Sequence, residues 1–371
     1  MRKTMLFLLA AALTVGCKND DTDFSAYING SSSTTTVHVI NIAYNGTSAT
    51  VTGDDNGFVT TRGADVVVNT GTSTDSLLLV LSGTSTDGSL LVYRQMKFGI
   101  QLNGLTLNNT DGPAINNQCG KTLYLHVASG TTNTLTDGTT YTEQTYDQKG
   151  ALFSEGQIIV LGTGRLSVTG NSRHAIACDD YIIIDDNVTI LATSPTGNGI
   201  KVNDGLWINN GTIDISVTAD AARGIKCDSV VVITGGTTTI KTTGDCVYDN
   251  DVDDYSSAAC IKCDYDFTMT GGTLTMTSSG DGGKGINSAT RVLFSGGTLS
   301  AITTGDNENG KPKAVKAGTD IIVSGGSFTA KVDKSWACDN GTESETPEDH
   351  LTVVGTPKTS NITKKSVTII Y

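Results

Sequence analysis

The sequence predicts an all-β chain, a single-stranded right-handed parallel β-helix (a solenoid) with an N-terminal cap. Three observations predict it. A unit of about 25 residues recurs, each copy opening on an apolar residue that follows a small one. The openings are Ala175-Ile176-Ala177, Gly199-Ile200-Lys201, Gly224-Ile225-Lys226, Cys260-Ile261-Lys262, Gly285-Ile286-Asn287 and Ala314-Val315-Lys316, spaced by 24, 25, 36, 25 and 29 residues. Twelve residues after each opener come Val188, Thr212, Thr237, Thr273, Thr298 and Ser327, the last five preceded by Gly211, Gly236, Gly272, Gly297 and Gly326. Between the glycines the apolar pattern has period two, as in Phe267-Thr268-Met269-Thr270, and no helical periodicity is sustained after the N-terminus. Glycine is abundant (43 residues) and proline scarce (5), which suits short strands separated by tight corners. The right hand follows from the general preference of parallel crossovers.

Residues 1–16 read as a lipoprotein signal peptide. Arg2 and Lys3 precede an apolar run from Met5 to Val15, and cleavage before Cys17 would leave that cysteine to carry the lipid. Thr14 stands where such signals usually have leucine, with Leu13 one place back. The run is too short to span a bilayer. Lys18-Asn19-Asp20-Asp21 resembles the acidic export tag of bacterial surface lipoproteins, so a place on the outer membrane, facing outward, is expected. Residues 17–36, rich in Ser and Thr, form a flexible tether. Residues 37–98 alternate as strands without a clear period and read as the cap and first coils, covering a sheet edge that would otherwise be bare. Residues 99–371 form the β-helix proper, closed by Ser366 to Tyr371.

The net charge of −13, with no run of Lys or Arg, excludes nucleic acid as the expected partner. Seven cysteines follow Cys17, an odd number, so they cannot all pair. Cys178, Cys227 and Cys263 recur two residues after an opener and read as core fillers. Cys246 and Cys260, at the feet of an insertion, are the disulfide candidates in an oxidising envelope.

Stacked turns lie roughly 4.8 Å apart, so equivalent residues form columns. With the opener inward, strict alternation places Ala177, Lys201, Lys226, Lys262, Asn287 and Lys316 outward, beside a second outward column of Asp179, Asn203, Asp228, Asp264, Ala289 and Gly318. On this count no arginine shares these columns. Lysines beside aspartates can simply neutralise each other on a solvated face. They can also hold a polyuronate, with Lys201, Lys226, Lys262 and Lys316 binding its carboxylates and calcium bridging from Asp228 and Asp264. The inserted loop adds Asp245, Asp249, Asp251 and Asp253, whose alternate spacing suits oxygen ligands around calcium, although the glycine and distal glutamate of an EF-hand are missing. Turn-end acids Asp220, Asp245, Asp281 and Asp306 offer further positions for ions between turns. The four histidines are scattered and read as structural; Trp207 and Trp336 are isolated, with no stacking platform for neutral sugars.

The repeated Gly-Ile-Lys and Gly-Gly-Thr elements from Gly199 to Cys338, with Leu102 to Leu107 and Thr132 to Gly138, resemble the carbohydrate-binding β-helix lipoproteins related in shape to pectate lyases. The resemblance covers residues 37–371. It implies a calcium-dependent binder of acidic plant polysaccharide such as polygalacturonate, without cleavage. A calcium-dependent polysaccharide lyase is the alternative, with Lys226 or Lys262 as the base that removes the ring proton next to the carboxylate. A lysine titrating at ~10.4 would need nearby cations to serve, and Asp228 and Asp264 oppose that. An adhesin without glycan specificity is the third reading.

Overall fold

Period-two segments bounded by glycine corners become short strands, each lying in register on the turn before it. The computed structural model describes residues 36–251 and 253–371; residues 1–35, with the lipidation candidate Cys17, and residue 252 lie outside the described residues. The opener strands build a 12-stranded sheet in which every pairing is parallel except that of Val59–Arg62 with Asp65–Asn69. The result is a β-solenoid of about 11 turns. A 23-stranded sheet forms the other two faces. From Tyr181 onward each turn adds a short strand and then a longer one, as in Gly205–Ile208 and Thr212–Val217. Earlier, Val37–Asn45, Ser76–Ser85 and Phe98–Asn108 each run round both faces and join them. A 3-10 turn at Pro347–His350 interrupts the strands near the C-terminus.

The predicted columns are present. Ile176, Ile200, Ile225, Ile261, Ile286 and Val315 are successive partners, continuing N-terminally through Leu152, Ile115 and Leu90. All are buried in one continuous core. Full burial of such a side chain is worth about 1.5–3 kcal/mol, so the stack is held mainly by this interior.

The glycines of the recurring corner have a definite reason. Gly211, Gly236, Gly272, Gly297 and Gly326 all have positive φ (91°, 71°, 77°, 82° and 73°). A Cβ on Gly272 would also come within 2.6 Å of the Gly235 carbonyl oxygen one turn away. The left-handed turn and the close stacking therefore exclude a side chain together. The closing column begins at Thr189 and not at Val188, because Thr189 pairs with Thr212. That turn is one residue longer between opener and closing strand.

Strict alternation fails at one place in each later turn. Arg223 pairs with Ala259, and register resumes at Ile225 with Ile261. Cys260 and Ile261 are both fully buried. A Cβ on Gly224 would lie 2.2 Å from Cγ2 of Ile240, and one on Gly199 2.3 Å from Cγ2 of Ile215. The residue before the opener thus also faces the core, which is why it is Ala, Gly or Cys. This bend separates the disulfide candidates. Cys246 and Cys260 are both free, with Cys260 Sγ inside at 3.4 Å from the Thr277 carbonyl and Cys246 half-buried outside, beside Gly282 and Gly310.

Cys178, Cys227 and Cys263 are core residues with a second task. Their thiols donate to the carbonyls of Tyr181, Val230 and Tyr265 at 3.5, 3.2 and 3.1 Å, closing the corner that follows. Ser288 does the same toward Arg291 at 3.0 Å. Where the long strand Phe98–Asn108 bends from one face to the next, the buried Asn133 amide oxygen accepts from the Gly104 and Leu105 N–H groups, each at 2.9 Å.

Both ends close with reversed strands. Ser48–Thr52 lies antiparallel on Val37–Asn45, and Ser366–Ile370 lies antiparallel on Ser327–Val332 with Thr359–Ile362 beyond it. A reversed outermost strand blunts the parallel edge that a further turn would extend.

Candidate functional site

The outer face of the 12-stranded sheet carries the predicted stripe. Ala177, Lys201, Lys226, Lys262, Asn287 and Lys316 are in-register partners, followed by Asp339. N-terminal to Lys201 the same face is covered. Phe153, partner of Ala177, is fully buried with Lys149 Nζ 5.4 Å from its ring centre, and Asn116 donates to the Asp147 carbonyl at 2.9 Å. The segment from Asp137 to Lys149 forms this cover. The lysine stripe begins where the cover stops.

The ion pairs run diagonally between turns. Lys201 bonds Asp228 of the next turn and Asn203 Oδ1 of its own at 2.7 Å. Lys226 bonds Asp228 at 2.6 Å and Asp264 at 2.8 Å. Burial pushes the Asp228 carboxyl up, but the two lysines outweigh it and hold it below its ordinary value. Burial likewise works to lower Lys226, yet its hydrogen bonds to Asp228 and Asp264 raise it on balance. The acidic column then ends, at Ala289 and Gly318. Lys262 has no carboxylate or hydrogen-bond partner among the described residues. Burial, then Arg223 and Lys226, hold its ammonium below the usual lysine range.

The bend before each opener exposes a third outward column that strict alternation turned inward: His174, Asn198, Arg223, Ala259, Lys284, Lys313 and Trp336. An arginine therefore does share this face. The signal was available, since basic residues recur two places before the opener with a small residue between. Arg223 Nη2 donates to Ser256 Oγ at 2.7 Å, and Lys284 Nζ bonds the adjacent Ser257 and the Gly282 carbonyl. Burial lowers the Lys284 ammonium to about 8. Lys313 is paired with Asp339 at 2.6 Å.

The two serines belong to the insertion, whose strands Val247–Asp249 and Asp254–Ser256 form an antiparallel hairpin standing out from the turn. Tyr248 and Tyr255 meet edge to face across it at 5.2 Å, with Tyr248 43 % exposed. The aromatic surface missed by looking only at tryptophan is here. Trp207 lies against Tyr181, and Trp336 is stacked on His350 at 4.0 Å with Lys364 Nζ 4.3 Å from its ring centre.

Among the described residues the hairpin acids do not gather three carboxylates at one point. Asp249 accepts from the Asp251 N–H at 3.0 Å, and Asp253 accepts from the Tyr248 hydroxyl. The turn-end acids cap backbone: the Asp245 N–H donates to Asp220 at 2.9 Å, Asp281 N–H to Asp245 at 2.7 Å, and Asn309 N–H to Asp281 at 3.0 Å. Among the described residues, the group whose carboxylate oxygens lie within 4.8 Å of one another is Asp147, Glu155 and Asp179. Lys149 bonds Asp147 at 2.6 Å and also Asp179. Of these acids only Asp179 stood in a predicted column. His174 Nδ1 accepts from the Asn198 N–H at 3.0 Å.

The class of protein that the fold defines is a stacked β-solenoid, here with a charged sheet face flanked by a hairpin that carries Tyr248 and Tyr255. The chain belongs to the carbohydrate-binding domain-containing protein family, which matches residues 62–223 and 216–310. Among solved structures it is similar to a polysaccharide lyase-like protein from C. thermocellum, determined as a gadolinium derivative, at 24 % identity over 69 % of this chain and 96 % of that one, with a TM-score of 0.56. That likeness establishes the fold. No curated protein matches the sequence.

Proposed function

We propose that this protein is a non-catalytic binder of acidic polysaccharide of the polygalacturonate type, displayed as a lipoprotein on the bacterial outer membrane. The observation that carries the reading is the in-register stack of Lys201, Lys226 and Lys262 on an open sheet face. Cations repeated at the turn spacing suit a polymer better than a small molecule, and Tyr248 and Tyr255 offer apolar surface to sugar rings. The anchor rests on residues 1–17 alone.

Calcium is part of the proposal. Asp228 and Asp264 are engaged by lysines, and the donor set that fits a hard cation is Asp147, Glu155 and Asp179, all oxygen. Lys149 must swing away from Asp147 and Asp179 for an ion to enter. A bound calcium would supply positive charge beside the N-terminal end of the stripe.

Retention of the purified protein on immobilised polygalacturonate, lost with chelator and restored by calcium, is the expected result. The lyase reading has one observation in its favour, the lowered ammonium of Lys262 next to Arg223. Rising ultraviolet absorbance from unsaturated product would establish it and end the non-catalytic reading; absence of binding to any uronan would end both.

A further inference from the structure

Resting on the acidic-polysaccharide reading, we infer that Arg223 and Lys262 form a subsite for a single uronate carboxylate, at the point on the stripe where the protein's own acids run out. The acids available to the stripe are Asp228 and Asp264. Lys201 and Lys226 share Asp228, and Lys226 also takes Asp264. One turn on, the position that would serve Lys262 is Ala289, which pairs no cation. Lys262 is left without an ion-pair partner, with Asp264 and Asp228 acting on it only from a distance.

Arg223 supplies the second half. It stands on the turn below Lys262, three residues before Lys226, turned outward by the bend in the strand. One arm of its guanidinium is held by Ser256 at 2.7 Å, while its Nε is buried with no hydrogen-bond partner. A buried donor left unmade is costly and calls for an acceptor. Above Arg223 in the same column is Ala259, too short to provide one. Arg223 lies close enough for its charge to act on Lys262, and Asp264 lies close enough to act on both.

A guanidinium with an unpartnered Nε–H and a nearby ammonium match a carboxylate, which can accept from both. A neutral sugar or a methyl ester offers no charge and leaves both cations unmatched. Lys284, one turn above Ala259 and bonded to Ser257, adds positive potential behind the site. The hairpin closes one side through Ser256 and Ser257.

Calorimetric titration with polygalacturonate tests the assignment, using the wild type, Lys262→Gln, Arg223→Gln, Arg223→Lys and, on another face, the exposed Lys241→Gln. Lys262→Gln removes a side chain that makes no bond, so its fold is not at risk. The expected result is a loss of tenfold or more in Lys262→Gln and Arg223→Gln, partial recovery in Arg223→Lys, and no change in Lys241→Gln. Methyl-esterified polymer should bind weakly to the wild type and no more weakly to Lys262→Gln. Wild-type binding with Lys262→Gln within twofold of it would overturn the subsite while leaving the broader reading in place. Equal wild-type affinity for polyphosphate would overturn the assignment to carboxylate. Failure of the wild type to bind polygalacturonate would remove the broader reading and the subsite with it.

Discussion

Lys262 lies in register over Lys226, and the two ammonium groups meet different surroundings. Lys226 is held between Asp228 and Asp264 at 2.6 and 2.8 Å, whereas Lys262, one turn further, has burial and two neighbouring cations acting against its charge. One strand spacing separates a cation held in two ion pairs from one held in none among the described residues.

Asp264→Asn should therefore strengthen binding of polygalacturonate. It removes one of the two carboxylates on Lys226 and lowers the opposing field at Lys262. Because the pair is partly exposed, the gain is roughly two- to fivefold at low ionic strength, with little change in stability. Calorimetry in low and high salt checks this. A fall in affinity would instead return Asp264 to the role of metal ligand expected from the sequence.

Alkaline pH should destabilise the fold through its thiols. Burial pushes Cys178 and Cys263 up to about 12 and Cys227 to about 11. In the unfolded chain they titrate near ~8.5. Their contribution is complete below that value and is lost as pH rises toward the folded values, since the unfolded state then releases protons that the folded state keeps. Cys227→Val, which copies Val202 of the same column, should reduce the loss between pH 7 and pH 10 by about 2 kcal/mol in urea melts.

Lys284 should behave in the opposite sense. Its folded value of about 8 lies below the unfolded ~10.4, so burying its charge costs stability below pH 8, and the cost fades as pH rises from 8 to 10.4. Lys284→Met removes that cost at the expense of the bonds to Ser257 and Gly282, which do not titrate in this range. The stability difference between variant and wild type should shift toward the wild type by about 2 kcal/mol from pH 7 to pH 10. A difference independent of pH would show that Lys284 is solvated.

Asn133→Ala should be among the costlier single changes in the N-terminal turns. It orphans the Gly104 and Leu105 N–H groups at the bend of their strand, for about 2–4 kcal/mol in a urea or thermal melt. A loss below 1 kcal/mol would mean that water replaces the amide.

The columns were legible because the openers recur at nearly constant spacing and their neighbours are of one kind: Ile200, Ile225, Ile261 and Lys201, Lys226, Lys262 fall where counting places them. The bend was not, because period two carries no information about where two successive residues turn the same way. That single feature moved Cys260 into the core and Arg223, Lys284 and Lys313 onto the outer face. The arrangement of the acids was illegible for a different reason. Spacing in Asp249, Asp251 and Asp253 looks the same whether the oxygens gather round an ion or cap their own backbone, and here Asp249 caps. The gathering of Asp147, Glu155 and Asp179 depends on a long loop folding back, which no local pattern announces.

Ile225 and Ile261, 36 residues apart, meet in the same register as Ile200 and Ile225, 25 apart. The extra length leaves the stack at the corner before the opener, where the Asp137 to Lys149 cover and the short excursion after Asp306 also depart. Residues added there never enter the hydrogen-bonded ladder. The scaffold thus keeps one corner free for diversification: recognition can change by grafting a new segment at that corner, while the winding of the spine and its melting behaviour stay as they were.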